Sequence, residues 1–309
     1  MLDDLDGSRR DLLKCMAWAG TGTLFAFSGG IGSSVGLDAA LAAPTRHGNV
    51  RLRIHRPGNT HLPGLVYLHG GGWMVFSLDT HDRVMREYAA RARCAVVGVD
   101  YALSPEHKFP VALEQVVDVV NWLSLTGRDF GVDTSRLAIG GDSAGANLSV
   151  ATALLRRDAR ALPPLRGMIL NYGAFSSRCS AEACRRYGGP EYMLGCEEMD
   201  GYWRAYVRDE KELQNPLVCP FLATLAGLPP AFLAIAECDI LGEQGRQMAE
   251  RLQAAGVPAR SVVYKGASHS FIEAVSISAI SDRALSDASA WLAQVLSLPE
   301  SGARPGAVA

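Results

Sequence analysis

Hydrophobic and polar positions along this chain fall into short apolar runs separated by longer amphipathic stretches. Pro63-Gly64-Leu65-Val66-Tyr67-Leu68, Cys94 to Asp100, Arg136 to Gly140, Arg166 to Tyr172 and Pro230 to Ala236 are brief and mainly apolar, which reads as buried strand. Arg260 to Gly266 is strand-like as well. Val50 to His55 alternates apolar with polar residues, the pattern of an edge strand. Leu113, Val116, Val117, Val120 and Leu123 mark one face of an amphipathic helix. Ala144 to Leu155 reads as a second helix. Ile280, Ala284, Leu285, Ala288, Trp291, Leu292 and Val295 mark a third near the C-terminus. Strands alternating with helices predict an α/β fold, a mostly parallel central sheet with helices on both faces.

The alternation breaks down near residues 176–224. Met199, Tyr202, Trp203 and Tyr206 fall there at helical spacing, together with Tyr187, Tyr192 and Met193. One reading packs these side chains onto the core. The other makes the insertion a small cap, with Trp73, Tyr192, Met193, Trp203 and Tyr206 as candidate substrate-pocket residues.

Composition narrows the classes without choosing a function. The 309 residues are 48% hydrophobic and 20% charged, as in an ordinary globular protein. A formal net charge of −2 gives no case for a nucleic-acid partner. Seven cysteines are present, and Cys179, Cys184 and Cys196 cluster in the insertion, where spacing alone leaves their pairing open. No C-x-x-C or H-E-x-x-H spacing occurs, so no metal site is expected.

The chemistry lies at the ends of the predicted strands. Ser143 sits in Gly141-Asp142-Ser143-Ala144-Gly145, between a strand and a helix. That is a sharp turn on which a serine is exposed as a nucleophile, with Gly141 and Gly145 removing side chains where the backbone doubles back. His69-Gly70-Gly71-Gly72 follows another strand. Its amides, those of Gly70 and Gly71 with that of Ala144, are candidates for an oxyanion hole, where one donor contributes roughly 2.7–4 kcal/mol to the barrier. A phosphate-binding loop fits less well, because no Lys-Ser/Thr follows these glycines. Of the seven histidines only His269 lies after Ser143, on a loop past a strand. Asp239 and Glu237 follow the strand Pro230 to Ala236, and Asp239, further onto the loop, is the better candidate acid. The order Ser, Asp, His is that of α/β-hydrolases.

These segments resemble the bacterial hormone-sensitive-lipase-like esterases (family IV) of the α/β-hydrolase superfamily. His69 to Trp73 is similar to the family's HGGGW/F block, Asp100 to His107 to DYRLAPEH, and Gly140 to Gly145 to GGDSAG. Leu228 to Leu241 is similar to its LPP…AExDxL block and Gly266 to Phe271 to GxxHxF. The resemblance spans about residues 48 to 297. Ala102, Ile240 and Ser270 depart from it where Arg, Pro and Gly are usual. It implies an α/β-hydrolase fold with a small cap, and a serine carboxylesterase acting on small-molecule esters of short to medium chain. It also implies no cofactor, and a homodimer by analogy. The same triad would serve an amidase, lactonase or arylformamidase. A non-catalytic ligand-binding relative would lack a triad residue, and here all three are present.

The N-terminus supports two expectations. Ser8-Arg9-Arg10-Asp11-Leu12-Leu13-Lys14, an apolar stretch from Cys15 to about Leu37, and Ala40-Leu41-Ala42 follow the order of a twin-arginine signal peptide over residues 1–42. A periplasmic or secreted enzyme would follow. Relatives in the resembled family instead use this segment as cap helices, which would leave the enzyme cytoplasmic. Gly20, Gly22, Gly29, Gly30, Gly32 and Gly36 argue against helices, each costing roughly 1 kcal/mol relative to Ala. The glycine-rich, weakly apolar stretch argues against stable membrane insertion. The hydrolase body is expected over 43–300, with a disordered tail at 301–309.

Overall fold

The computed structural model describes residues 41–58 and 60–297. Eight strands form one sheet: β1 (Leu41–Thr45), β2 (Gly48–His55), β3 (Leu62–Leu68), β4 (Ala95–Val99), β5 (Val132–Asp142), β6 (Met168–Asn171), β7 (Ala231–Cys238) and β8 (Ala259–Ser268). Their order across the sheet is β1-β2-β4-β3-β5-β6-β7-β8. β1 pairs antiparallel with β2, and β2 with β4. Every other pairing is parallel.

Among the described residues, seven α-helices accompany the strands: α1 (Asp82–Ala92), α2 (Val111–Thr126), α3 (Ala144–Asp158), α4 (Ala181–Tyr187), α5 (Cys196–Tyr206), α6 (Gly242–Ala254) and α7 (Ala279–Ser297). Both faces of the sheet are covered, which explains why the central strands are apolar at successive positions rather than alternating. All five residues of β4 are buried. On one face Leu65, Tyr67, Val96, Ala138, Ile169 and Phe232 pack in a core with Val84, Met85 and Tyr88 of α1 and Leu285, Ala288 and Leu292 of α7. α2 and α3 pack against each other and against β5.

The expected α/β architecture with a mostly parallel sheet is present. One strand differs from its expected place. Val50 to His55 lies within β2, but β2 is not the edge, because β1 covers it. Leu41 and Ala42, the last residues of the expected signal segment, are the first two of β1 and pair with Leu52 and Arg51. The rest of that segment, and the expected tail 301–309, lie outside the described residues. α1 and α6 were not anticipated. Val84, Met85, Tyr88, Ala89 and Ala92 do recur at helical spacing, but arginines and glutamates between them blunt the pattern. No described helix is long and apolar enough to cross a membrane.

Between β6 and β7 the chain leaves the sheet over the stretch where alternation failed, forming α4, α5 and two short 3₁₀ turns (Glu210–Gln214 and Pro220–Leu222). A disulfide joins Cys184 of α4 to Cys196 at the start of α5, and Cys179 is free.

Candidate active site

β5 carries Gly140, Gly141 and Asp142 straight into Ser143, and α3 begins at the next residue. Ser143 has φ 51° and ψ −114°, a backbone region that costs of order 1–3 kcal/mol outside glycine and concentrates at functional sites. The strained turn is held by its surroundings. The Ser143 N–H donates to the carbonyl of Asn171 at 2.9 Å, and the N–H of Asn147 donates to the carbonyl of Ser143 at 3.2 Å. A Cβ on Gly145 or on Gly141 would strike the carbonyl oxygen of Leu68, so only glycine lets α3 leave β5 this close to β3. Asn147 anchors the helix by donating to the carbonyls of Ala174 and Val218, both at 2.8 Å.

His269 follows the end of β8, and Asp239 follows the end of β7. Ser143 Oγ lies 3.1 Å from His269 Nε2, and His269 Nδ1 lies 2.7 Å from Asp239 Oδ2. The other Asp239 oxygen accepts the N–H of Leu241 at 2.9 Å, which fixes the carboxylate toward the ring. All three side chains are buried. Burial disfavours a charged His269, but Asp239 outweighs it, and the imidazole pKa is held above its ordinary 6.5. The edge of Tyr172 packs against the ring, with centroids 4.9 Å apart. Glu237 is engaged elsewhere: it accepts the N–H of Gly266 at 2.9 Å, tying β7 to the segment that leads to His269. Ser270, where glycine is usual, adopts φ 60°.

Gly70, Gly71 and Gly72 leave β3 beside this turn. Gly71 and Gly72 have φ of 104° and 57°. Ala144 is the first residue of α3, so its N–H is one of the donors that the helix leaves unpaired, at the positive end of its dipole. His69 stacks on Tyr101 with centroids 4.4 Å apart, and the Tyr101 hydroxyl donates to the His69 carbonyl at 2.7 Å. Burial, reinforced by the nearby charge of His81, pulls the His69 pKa down to about 4, so this ring is neutral.

Three of the candidate pocket residues meet. Trp73 stacks on Tyr206 with centroids 4.3 Å apart and tilts against Trp203 at 4.6 Å, and all three are buried. Tyr202, from the same helix α5, occupies the space that a Cβ on Gly72 would need. Tyr192 packs instead on Tyr187, and Met193 is half exposed.

Residues 65–273 match the family described as having the alpha/beta hydrolase fold. An acetyl esterase of Salmonella choleraesuis is 37% identical over 248 residues, covering 80% of this chain and 76% of the relative. The chain belongs to the hormone-sensitive-lipase-like branch of the α/β-hydrolases. Among solved structures, an esterase from the hyperthermophilic archaeon Pyrobaculum calidifontis superposes on this hydrolase with a TM-score of 0.80 at 36% identity, covering 82% of each chain. A thermostable carboxylesterase cloned from a metagenomic library superposes with a TM-score of 0.82 at 30% identity, covering 87% of this chain and 92% of that one.

The hydrolase holds a further polar cluster that sequence reading did not assemble. Asp142 accepts the Tyr67 hydroxyl at 2.8 Å and lies 3.2 Å from His81 Nε2. Glu273 Oε1 is 3.4 Å from the same nitrogen. Donor atoms of His81, Asp142 and Glu273 all lie within 4.8 Å of one another. His81 was set aside for preceding Ser143 in the chain. The available signal was Asp142 itself, since an acid next to a buried turn requires a partner.

Proposed function

We propose that this hydrolase is a serine carboxylesterase acting on short- to medium-chain carboxylic esters through an acyl-enzyme. The hydrogen-bonded line Ser143–His269–Asp239, 3.1 and 2.7 Å long, carries the reading. In this mechanism Ser143 Oγ attacks the ester carbonyl carbon as its proton passes to His269 Nε2. Asp239 holds the ring tautomer and stabilises the imidazolium. The amides of Gly70, Gly71 and Ala144 receive the oxyanion. The intermediate collapses, the C–O bond to the alcohol breaks, and His269 returns the proton to that oxygen. Water then gives a proton to His269, attacks the acyl carbon and releases the acid, with the proton returning to Ser143.

The names of the relatives, acetyl esterases and carboxylesterases, support the ester class. Contact of Trp203 and Tyr206 with Trp73, all three buried against one another, supports the insertion α4–α5 as a cap packed on the oxyanion loop. The Cys184–Cys196 disulfide in that cap supports an oxidising compartment and hence export.

The test is hydrolysis of a p-nitrophenyl acyl series, acetate to palmitate, with Ser143→Ala in parallel. Activity should be greatest on short chains, and the variant should lose about 10⁵-fold or more in kcat. Activity surviving in Ser143→Ala, or a maximum at palmitate, would overturn the proposal.

A further inference from the structure

Behind the oxyanion loop lies a charged cluster that the ester chemistry does not use. Asp142 immediately precedes Ser143, and its carboxylate is taken up by Tyr67 and His81. A Cβ on Gly70 would collide with Asp142 Oδ2, so the backbone of the first oxyanion glycine rests directly on this carboxylate. His81 stands between two acids from distant parts of the chain. Its Nε2 is 3.2 Å from Asp142 at the end of β5 and 3.4 Å from Glu273. Glu273 lies in the 3₁₀ turn Phe271–Ala274 that follows His269. The other ring nitrogen, Nδ1, is 2.9 Å from Thr80 Oγ1. One imidazole therefore joins the floor of the oxyanion loop to the turn that carries the proposed base.

We propose that His81 is a positioning residue: as an imidazolium held between Asp142 and Glu273 it sets the spacing of the oxyanion loop and the His269 turn. The proposal rests on the esterase reading above. The groups facing the cluster are His69 and Tyr67 of the β3 side, Tyr88 of α1, Asp142, Glu273 and, after β6, Tyr172. Burial alone would neutralise His81, but Asp142 and then Glu273 outweigh it and push its pKa up to about 9. Burial likewise opposes ionisation of Asp142, yet His81 and the Tyr67 hydroxyl hold its pKa below the ordinary carboxylate value. Glu273 is left with the excess negative charge. Desolvation, with repulsion from Asp142, raises its pKa despite His81, although 33% of the side chain stays exposed.

The experiment compares p-nitrophenyl acetate hydrolysis at pH 8 by the wild-type chain and Glu273→Gln. This variant mimics the protonated acid and leaves the Asp142–His81 pair intact, whereas removal of His81 strands a buried charge and endangers folding. In Glu273→Gln kcat at pH 8 should be lowered about tenfold and KM should stay within about twofold, as expected for a misplaced oxyanion donor. Wild-type kcat in the variant, or a loss that falls on KM instead, overturns the proposal. EDTA should leave kcat unchanged. EDTA-sensitive activity restored by Zn²⁺ in the wild type, but not in Glu273→Gln, would make the cluster a cation site and overturn the bridge. If the wild type hydrolyses no ester, the esterase reading fails, and the cluster is tested alone. The ¹⁵N shifts of His81 in Ser143→Ala should remain those of an imidazolium at pH 8, and a neutral ring there overturns the proposal.

Discussion

Among the described residues are two buried histidine–carboxylate pairs, His269 with Asp239 and His81 with Asp142, and they differ in what surrounds the rest of the ring. His269 gives Nδ1 to its acid at 2.7 Å and keeps Nε2 for Ser143 at 3.1 Å. His81 uses Nδ1 on Thr80 and places Nε2 between two acids. The first arrangement leaves one nitrogen able to accept a proton and offers it a hydroxyl. The second leaves none, and the doubled negative charge pushes the pKa up to about 9, beyond the range in which a base turns over at neutral pH. A buried His–Asp pair is therefore not in itself a base. The count of acids and the neighbour of the second nitrogen decide whether it moves protons or holds structure.

Three substitutions would break or sharpen this contrast. The largest effect is expected of Asp239→Asn, which keeps the shape of the proposed catalytic pair but favours the wrong tautomer of His269. Its kcat for p-nitrophenyl acetate should fall about 10⁴-fold while thermal stability changes little by comparison. A loss under tenfold would assign His269 another orienting group.

His81→Asn should act first on stability. Removing one partner from a buried pair leaves the Asp142 charge uncompensated, at a cost of about 3–5 kcal/mol, to be read from urea unfolding at pH 7. The pH dependence has a definite sign. The folded pKa of His81 lies above its ordinary 6.5, so its contribution to stability is fully present below that value and is lost as pH rises through about 9. The wild-type melting temperature should decline between pH 7 and 10, and His81→Asn should flatten that decline. An equally steep decline in the variant would show that the pair is not the source.

The smallest effect falls on the second oxygens of the two acids. In Asp239 that oxygen is held by the backbone N–H of Leu241, beyond the reach of substitution. In Asp142 it is held by the Tyr67 hydroxyl. Tyr67→Phe removes only this donor and should cost about 1.5–3 kcal/mol, measured by the same unfolding. A neutral result would mean that the Asp142–His81 pair does not depend on its third partner.

Much of the proposed catalytic pair was legible in the sequence, and little of the second. Ser143, Asp239 and His269 each follow a strand-like run, and parallel α/β sheets gather such strand ends along one edge. Asp239 was separable from Glu237 only by its distance from the strand. The structure adds the reason, because Glu237 is held by the Gly266 N–H and Asp239 by that of Leu241. The aromatic residues of the insertion were legible as a group but not as partners. Trp203 and Tyr206 reach Trp73 across more than a hundred residues, while Tyr192 in the same stretch turns to Tyr187. α1 and α6 were missed because polar residues on their exposed sides diluted the apolar period, and β1 because its residues overlap a small-residue motif with another meaning.

The sequence by itself determined the alternation of strands and helices, the glycines that permit the turn at Ser143, and the order of the triad candidates. These are local properties, set by side-chain period and by which residues tolerate crowded or left-handed backbone. Only the tertiary structure decided which cysteines pair, which aromatics meet, and that His81 lies between Asp142 and Glu273, 61 residues from the first along the chain. Those contacts depend on strand order and on how close the layers pack. The charge state of a buried ring depends in turn on every group that packing brings to it, and no spacing along the chain records that.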